Sequence, residues 1–158
     1  MSNPTSLFRL DGKVAVLTGA SRGIGEAMAT AFAAQGAKVV LASRKQADLQ
    51  AVADRITAAG GIALPIACHV GKSEEIATML DAAVTAFGQV DVLVNNAATN
   101  PYFGPLVDTP DAAFDKTFEV NVKGYFYAAR AVAQAAIARG APASIVNVAS
   151  VAGVMAMP

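Results

Sequence analysis

The sequence predicts an α/β fold: a doubly wound parallel sheet with strand order 3-2-1-4-5 and helices on both faces. Three observations carry that expectation. Short apolar runs alternate with longer segments of helical periodicity from residue 13 to residue 149, the pattern of strands joined by helical crossovers. The runs are apolar at nearly every position, as in residues 90–95, rather than at every second one. Strands covered on both faces read this way. The first run leads through the glycine-rich stretch Thr18-Gly19-Ala20-Ser21-Arg22-Gly23-Ile24-Gly25 into an alanine-rich segment, a strand, a tight turn and a helix in succession.

Taken in order, residues 1–9 read as a lead-in, and residues 10–158 as one dinucleotide-binding domain. Asp11-Gly12 forms a turn before the first strand, 13–18, and the first helix, 23–35, stops at Gly36. A second strand covers 38–42. A helix follows over 45–59, with Leu49, Val52, Ala53 and Ile56 on one face and Gly60-Gly61 at its end. The third strand lies within 62–70. Ser73 reads as the N-cap of the next helix, with Glu74 and Glu75 in the first turn, where the helix dipole favours them. That helix runs to Phe87, and the fourth strand covers 90–95. A loop rich in Pro, Gly and aromatics spans 96–108. Thr109-Pro110 then reads as N-cap and first helical position of one long helix reaching about Arg139, and the fifth strand covers 144–149.

Composition narrows the function classes. With 54% hydrophobic and 15% charged residues in a chain of 158, the sequence suits one domain with a sizeable core. Lys+Arg and Asp+Glu both count 12, a balance that favours neither nucleic acid nor an anionic membrane surface as partner. One cysteine, Cys68, excludes an intramolecular disulfide framework and fits a reducing cytosol. No apolar run has the length of a membrane span. The first ten residues lack a signal-peptide core, and the last four carry no peroxisomal address. The expected setting is therefore cytoplasmic.

The glycine-rich turn points to anion binding. A helix N-terminus leaves backbone N–H groups unpaired and carries partial positive charge. Glycines let a pyrophosphate approach those donors, and Arg22 adds a full charge beside them. The spacing is Gly-x-x-x-Gly-x-Gly, with Thr18 in front. That arrangement resembles the short-chain dehydrogenase/reductase family, and it makes Gly19, Ser21, Arg22, Gly23, Ile24 and Gly25 the expected pyrophosphate cradle.

The end of the second strand bears on the cofactor. An NAD-preferring site usually places a carboxylate there for the ribose hydroxyls. Here the residues are Ala42-Ser43-Arg44-Lys45. Ser43 and Arg44, aided by Lys45 and Arg22, suit a 2′-phosphate, so NADP(H) is the expected cofactor and NAD(H) the possible alternative. A basic helix start on the surface would read the same way. Cys68-His69-Val70 closes the third strand toward the expected adenine site. His69 stands where the resembled family often has Asp or Asn, and a lone strand-end His is commonly structural. It is the only histidine, so no metal site is expected.

Asn95-Asn96-Ala97-Ala98 follows the fourth strand, with Asn96 and Ala97 expected at the ligand. An Asx turn is the plainer account. The family's usual form is Asn-Asn-Ala-Gly, and Ala98 departs from it in the last position. Asn121 falls on or beside the apolar stripe of Phe114, Thr117, Phe118, Val122 and Tyr125. A buried amide needs partners. Either it bonds a neighbouring loop, or it does what the resemblance implies: kinks the helix and anchors a proton-relay water. Ser150 follows the fifth strand, and the resemblance makes it the residue that hydrogen-bonds a substrate carbonyl.

With five motifs in order between Leu10 and Gly153, the resemblance implies hydride transfer between a nicotinamide and a small carbonyl or alcohol. It also implies a homo-oligomer, dimer or tetramer, built partly on the long helix. In the family a Tyr acts as general acid/base with a Lys one helical turn later. Tyr102, Tyr125 and Tyr127 do not precede a Lys by four. The resemblance therefore implies that the catalytic pair and the last strands lie outside these residues. The 158-residue chain alone is expected to be inactive, with Phe126, Val132 and Ile137 on an uncovered helix face. A different class stays open: a catalytically incomplete nucleotide-binding fragment or cofactor-sensing module. A methyltransferase of Rossmann type is a more distant third, disfavoured by the Thr18 motif and by the missing acidic residue after the second strand.

Overall fold

Strand β1 (Val14–Thr18) is buried at all five positions, and its side chains alternate between two cores. Val14 and Val16 join the core under α3 (Ser73–Phe87) and α5 (Gly124–Ala138). Ala15 and Leu17 join the core under α1 (Gly23–Ala34) and α2 (Gln46–Ala58). A strand with helices on both faces has no position that favours a polar side chain, which is why these runs are continuously apolar. The remaining strands are β2 (Lys38–Ser43), β3 (Ile62–Ala67), β4 (Val92–Asn95) and β5 (Ser144–Asn147). All pair in parallel, in the order β3-β2-β1-β4-β5, as expected. The computed structural model describes residues 7–155. Most of the expected lead-in and the last three residues of the chain lie outside it.

The α2 face is the one its periodicity predicts: Leu49, Val52, Ala53 and Ile56 are all buried. Three expectations need correction. β3 ends at Ala67 rather than at Val70; Cys68 N–H adds one further rung to Ser43 O (2.8 Å), and the chain then turns, with Lys72 N–H donating to His69 O (2.9 Å). Lys72, not Ser73, occupies the N-cap of α3, and no side chain caps it. The carboxylate of Glu75 instead reaches back to the His69 backbone N–H (2.7 Å).

The long helix is the third correction. It is α4 (Asp111–Phe118), a π-helical turn (Glu119–Lys123) and α5. Pro110, not Thr109, is at the N-cap. The extra residue of a π turn re-aims the side chains that follow it. The core-facing residues of α5 are Gly124, Ala128, Val132 and Ala136, so Val132 is buried and not on the uncovered face. The stripe Phe114, Phe118, Val122 and Phe126 is the exposed one, at 44–58%. Ile137 is exposed as expected.

Candidate functional site

The carboxyl ends of β1 to β4 open on a cleft of about 380 Å³. Open parallel sheets bind ligands at this edge, where the strand order reverses between β1 and β4. Gly19, Ser21 and Arg22 line it after β1, and Ser43, Arg44, Lys45 and Asp48 after β2. Cys68, His69 and Val70 follow from β3, Asn96 to Thr99 from β4, and Lys116 and Val120 from the far wall.

The floor is a hydrogen-bonded junction between the first and fourth loops. Thr18 Oγ1 accepts from the Asn96 N–H (2.9 Å) and the Ala97 N–H (3.0 Å) and donates to Val94 O (3.3 Å). That uses the whole capacity of a hydroxyl. Asn96 Nδ2 donates to Thr18 O (3.0 Å), so the amide holds the glycine loop open. Gly25 is required by close approach: a Cβ there would stand 2.2 Å from Gly19 O. Its absence lets the first turn of α1 come up against the loop. Arg22 sits at the N-cap of α1 in extended conformation, and no side chain caps that end. The N-terminal N–H groups are left for an anion.

This donor set fits a dinucleotide phosphate. Besides the uncapped turn, Arg22, Arg44 and Lys45 line the same cleft, against one lining carboxylate, Asp48. Cys68 is buried in the α3/α5 core, and burial pushes its thiol up to about 11. The wall beyond β3 carries a polar cluster. The Gly71 N–H donates to His69 Nδ1 (3.1 Å), while His69 Nε2 faces Lys116 Nζ (3.1 Å). Lys116 also pairs with Glu119 (2.8 Å) and holds its carboxyl below the usual carboxylate range. Lys72, followed by the His69 backbone N–H, does the same for Glu75.

Asn121 lies in the π turn, half-buried. Its Oδ1 accepts from the Thr99 N–H and its Nδ2 donates to Thr99 O, both at 2.8 Å. This reciprocal pair has the form of a strand rung, and Thr99 lines the cleft. Ser150 follows β5; it is exposed, and its Oγ accepts from the Ala152 N–H (3.2 Å). β5 is tied to β4 by Asn95 Nδ2 donating to Asn147 Oδ1 (3.0 Å), and to α5 by Tyr125 Oη donating to Val148 O (3.2 Å).

Of the expected residues, Gly19, Ser21, Arg22, Ser43, Arg44, His69, Val70, Asn96 and Ala97 meet at one cleft. Gly23, Ile24 and Gly25 stand behind it in the first turn of α1. Asn121 reaches it only through Thr99, and Ser150 is not part of its lining. Lys116 and Thr99 escaped the sequence reading. Lys116 has the spacing of a surface ion pair with Glu119, three residues on, and nothing local ties it to His69, 47 residues away.

Comparison with known proteins adds to this geometry. The family described as short chain dehydrogenase matches residues 13–158. A bovine (Bos taurus) relative, "Dehydrogenase/reductase SDR family member 4", is 40% identical over 149 residues, 94% of this chain and 53% of its own length. A metagenomic short-chain oxidoreductase solved in complex with NADP superimposes with a TM-score of 0.85 at 44% identity, covering 91% of this chain and 65% of that one. A short-chain dehydrogenase/reductase from Burkholderia phymatum solved in complex with NAD gives 0.90 at 37% identity, covering 96% and 53%. The chain spans about half the length of the curated relatives it matches. No helix among the described residues is long and apolar enough to cross a membrane.

Proposed function

The chain belongs to the short-chain dehydrogenase family, and from that membership we propose that it binds a nicotinamide dinucleotide in the cleft and serves an oxidoreductase acting on a small carbonyl or alcohol. The observation that carries this reading is the uncapped N-terminus of α1 opening onto a cleft lined by Arg22, Arg44 and Lys45. When bound, the nicotinamide gives or takes the hydride. The chain's own residues bind and orient. Backbone from Gly19 to Gly25 cradles the pyrophosphate. Ser43 and Arg44 meet the 2′-phosphate and give a preference for NADP(H), with NAD(H) as the weaker ligand. His69 and Val70 face the base, and Asn96 and Ala97 close the floor.

On the substrate side, Ser150 donates to the carbonyl oxygen. Asn121 holds the 96–108 loop through Thr99 and anchors the water of a proton relay. Neither is an acid near neutral pH, and no Tyr in these 158 residues precedes a Lys by four. A polypeptide confined to them binds nucleotide without turnover. The exposed stripe of Phe114, Phe118 and Phe126 supports association of copies. The single cysteine, Cys68, buried with its thiol pushed up, fits a cytoplasmic protein.

A second reading, a nucleotide-binding module without chemistry, draws on one fact: the cleft lining lies wholly between Gly19 and Val120, and Ser150 is not part of it. One experiment separates the two. The full-length protein is titrated with NADPH and NADH by calorimetry and assayed against a panel of ketones, beside residues 1–158 alone. Binding by both, with ketone-dependent NADPH oxidation only in the full-length protein, is the expected result. Binding with no turnover in either leaves the module reading, and no binding in either removes both.

A further inference from the structure

The end of β3 and the π turn meet at two glycines. Gly124, the first residue of α5, follows Asn121 within one turn and is buried. Its backbone angles are ordinary helical ones, φ −58° and ψ −46°, and alanine is the better helix former. Close approach is what requires glycine there. A Cβ would stand 2.8 Å from Val70 O and 3.2 Å from the Val70 carbonyl carbon, inside van der Waals contact with backbone. Gly71 repeats the contact in the opposite sense: a Cβ there would stand 2.8 Å from Glu119 Cγ. The strand end is the firmer partner. The Cys68 N–H donates to Ser43 O (2.8 Å), the His69 N–H to the Glu75 carboxylate (2.7 Å) and the Lys72 N–H to His69 O (2.9 Å), and Val70 is itself buried. Asn121, by contrast, holds Thr99 through its side chain.

The consequence rests on the oxidoreductase reading above, in which Asn121 serves the reaction. We propose that Gly124, with Gly71, is a positioning residue for Asn121: their missing side chains let the end of β3 set where the π turn lies, and so where Asn121 holds Thr99 at the cleft. A side chain at residue 124 pushes the π turn away from the strand end, because the Val70 backbone is held by its own loop and does not give. Asn121 moves with the turn, and its two 2.8 Å bonds to Thr99 lengthen together. The base-side wall stays in place. Glycine at these two contacts thus spaces the wall that faces the base from the residue that holds the substrate-side loop.

The test uses Gly124→Ala in the full-length protein. NADPH affinity by calorimetry is expected to stay within about twofold, while kcat with the ketone turned over fastest falls by about 10–100-fold. Amide hydrogen exchange at Thr99 is expected to quicken by about tenfold or more, a readout that needs no turnover. In the Asn121→Leu background, Gly124→Ala should cost less than about twofold in kcat, because the group it displaces is already gone. If Gly124→Ala fails to fold by circular dichroism, Gly71→Ala decides. It should lower kcat and quicken exchange at Thr99 in the otherwise unaltered protein, and do neither when added to Glu119→Ala, which removes the side chain its Cβ would meet. A kcat cost of the same size in both Asn121 backgrounds, an unchanged exchange at Thr99, or a loss of about tenfold in NADPH affinity with kcat kept overturns the proposal. A full-length protein that binds NADPH but turns over no ketone overturns the oxidoreductase reading instead, and exchange at Thr99 then decides this proposal alone.

Discussion

Thr18 and Asn96 hold each other across 78 residues of sequence: the Asn96 N–H donates to Thr18 Oγ1 at 2.9 Å, and Asn96 Nδ2 returns to Thr18 O at 3.0 Å. The pair closes the floor of the cleft where the strand order reverses. It also fixes the distance between the glycine loop and the loop that carries Thr99.

Thr18→Val keeps the shape of the side chain and removes the hydroxyl. Two N–H groups, of Asn96 and Ala97, lose their acceptor. The expected cost is about 2–4 kcal/mol, read as a lower midpoint in urea unfolding, with weaker nucleotide binding alongside. Thr18→Ser retains the hydroxyl and should recover most of the loss. A Val variant as stable as the parent would show that water replaces the hydroxyl at no cost.

Arg44→Asp bears on cofactor choice. Arg44 lines the cleft at the end of β2, together with Lys45 and Asp48. A second carboxylate there repels a 2′-phosphate and suits ribose hydroxyls. NADPH binding should weaken by about 10–100-fold, with NADH equal or tighter. The quantity to measure is the ratio of the two dissociation constants. Equal affinities in the unaltered protein would contradict the proposed preference at the outset.

Asn121→Leu removes both hydrogen bonds to Thr99. The loop that lines the cleft then loses its attachment to the π turn. Turnover of the full-length enzyme should fall by about 10–100-fold, because small displacements of a positioned group are costly, while the melting temperature changes little. The check is kcat beside a thermal melt. If stability falls and kcat holds, Asn121 serves the loop and not the reaction.

Cys68 predicts an alkaline limit. Burial pushes its thiol up to about 11, with the nearby Glu75 carboxylate a smaller cause in the same direction. The folded state holds the proton more tightly than the unfolded chain does. The stabilisation is therefore complete below the ordinary thiol range and is lost as pH rises from that range to about 11. Thermal melts from pH 8 to pH 10.5 should drop more steeply for the unaltered protein than for Cys68→Ala, which lacks the titrating group. Parallel curves would mean that the thiol is not the group responsible.

The architecture and the glycine-rich turn are legible in the residues alone. Continuous apolar runs such as residues 14–17 imply a sheet covered on both faces, and the Thr18 to Gly25 stretch carries its turn chemistry locally; both signals are read within a few residues of one another. The stripe of α2 was legible for the same reason, because Leu49, Val52, Ala53 and Ile56 follow the helical period without interruption. Where the long helix breaks its register depends instead on packing between distant segments. The π turn arises where residues 119–123 pack against the loop at Gly71 and hold Thr99, and it turns Val132 inward while the stripe of Phe114, Phe118 and Phe126 stays exposed. Packing of this kind also sets the meetings of Thr18 with Asn96, Thr99 with Asn121 and His69 with Lys116, which lie 78, 22 and 47 residues apart. No local pattern encodes such pairs, because each depends on where the packed sheet and helices bring two loops together. The hydrogen bonds form only after hydrophobic burial has set that distance.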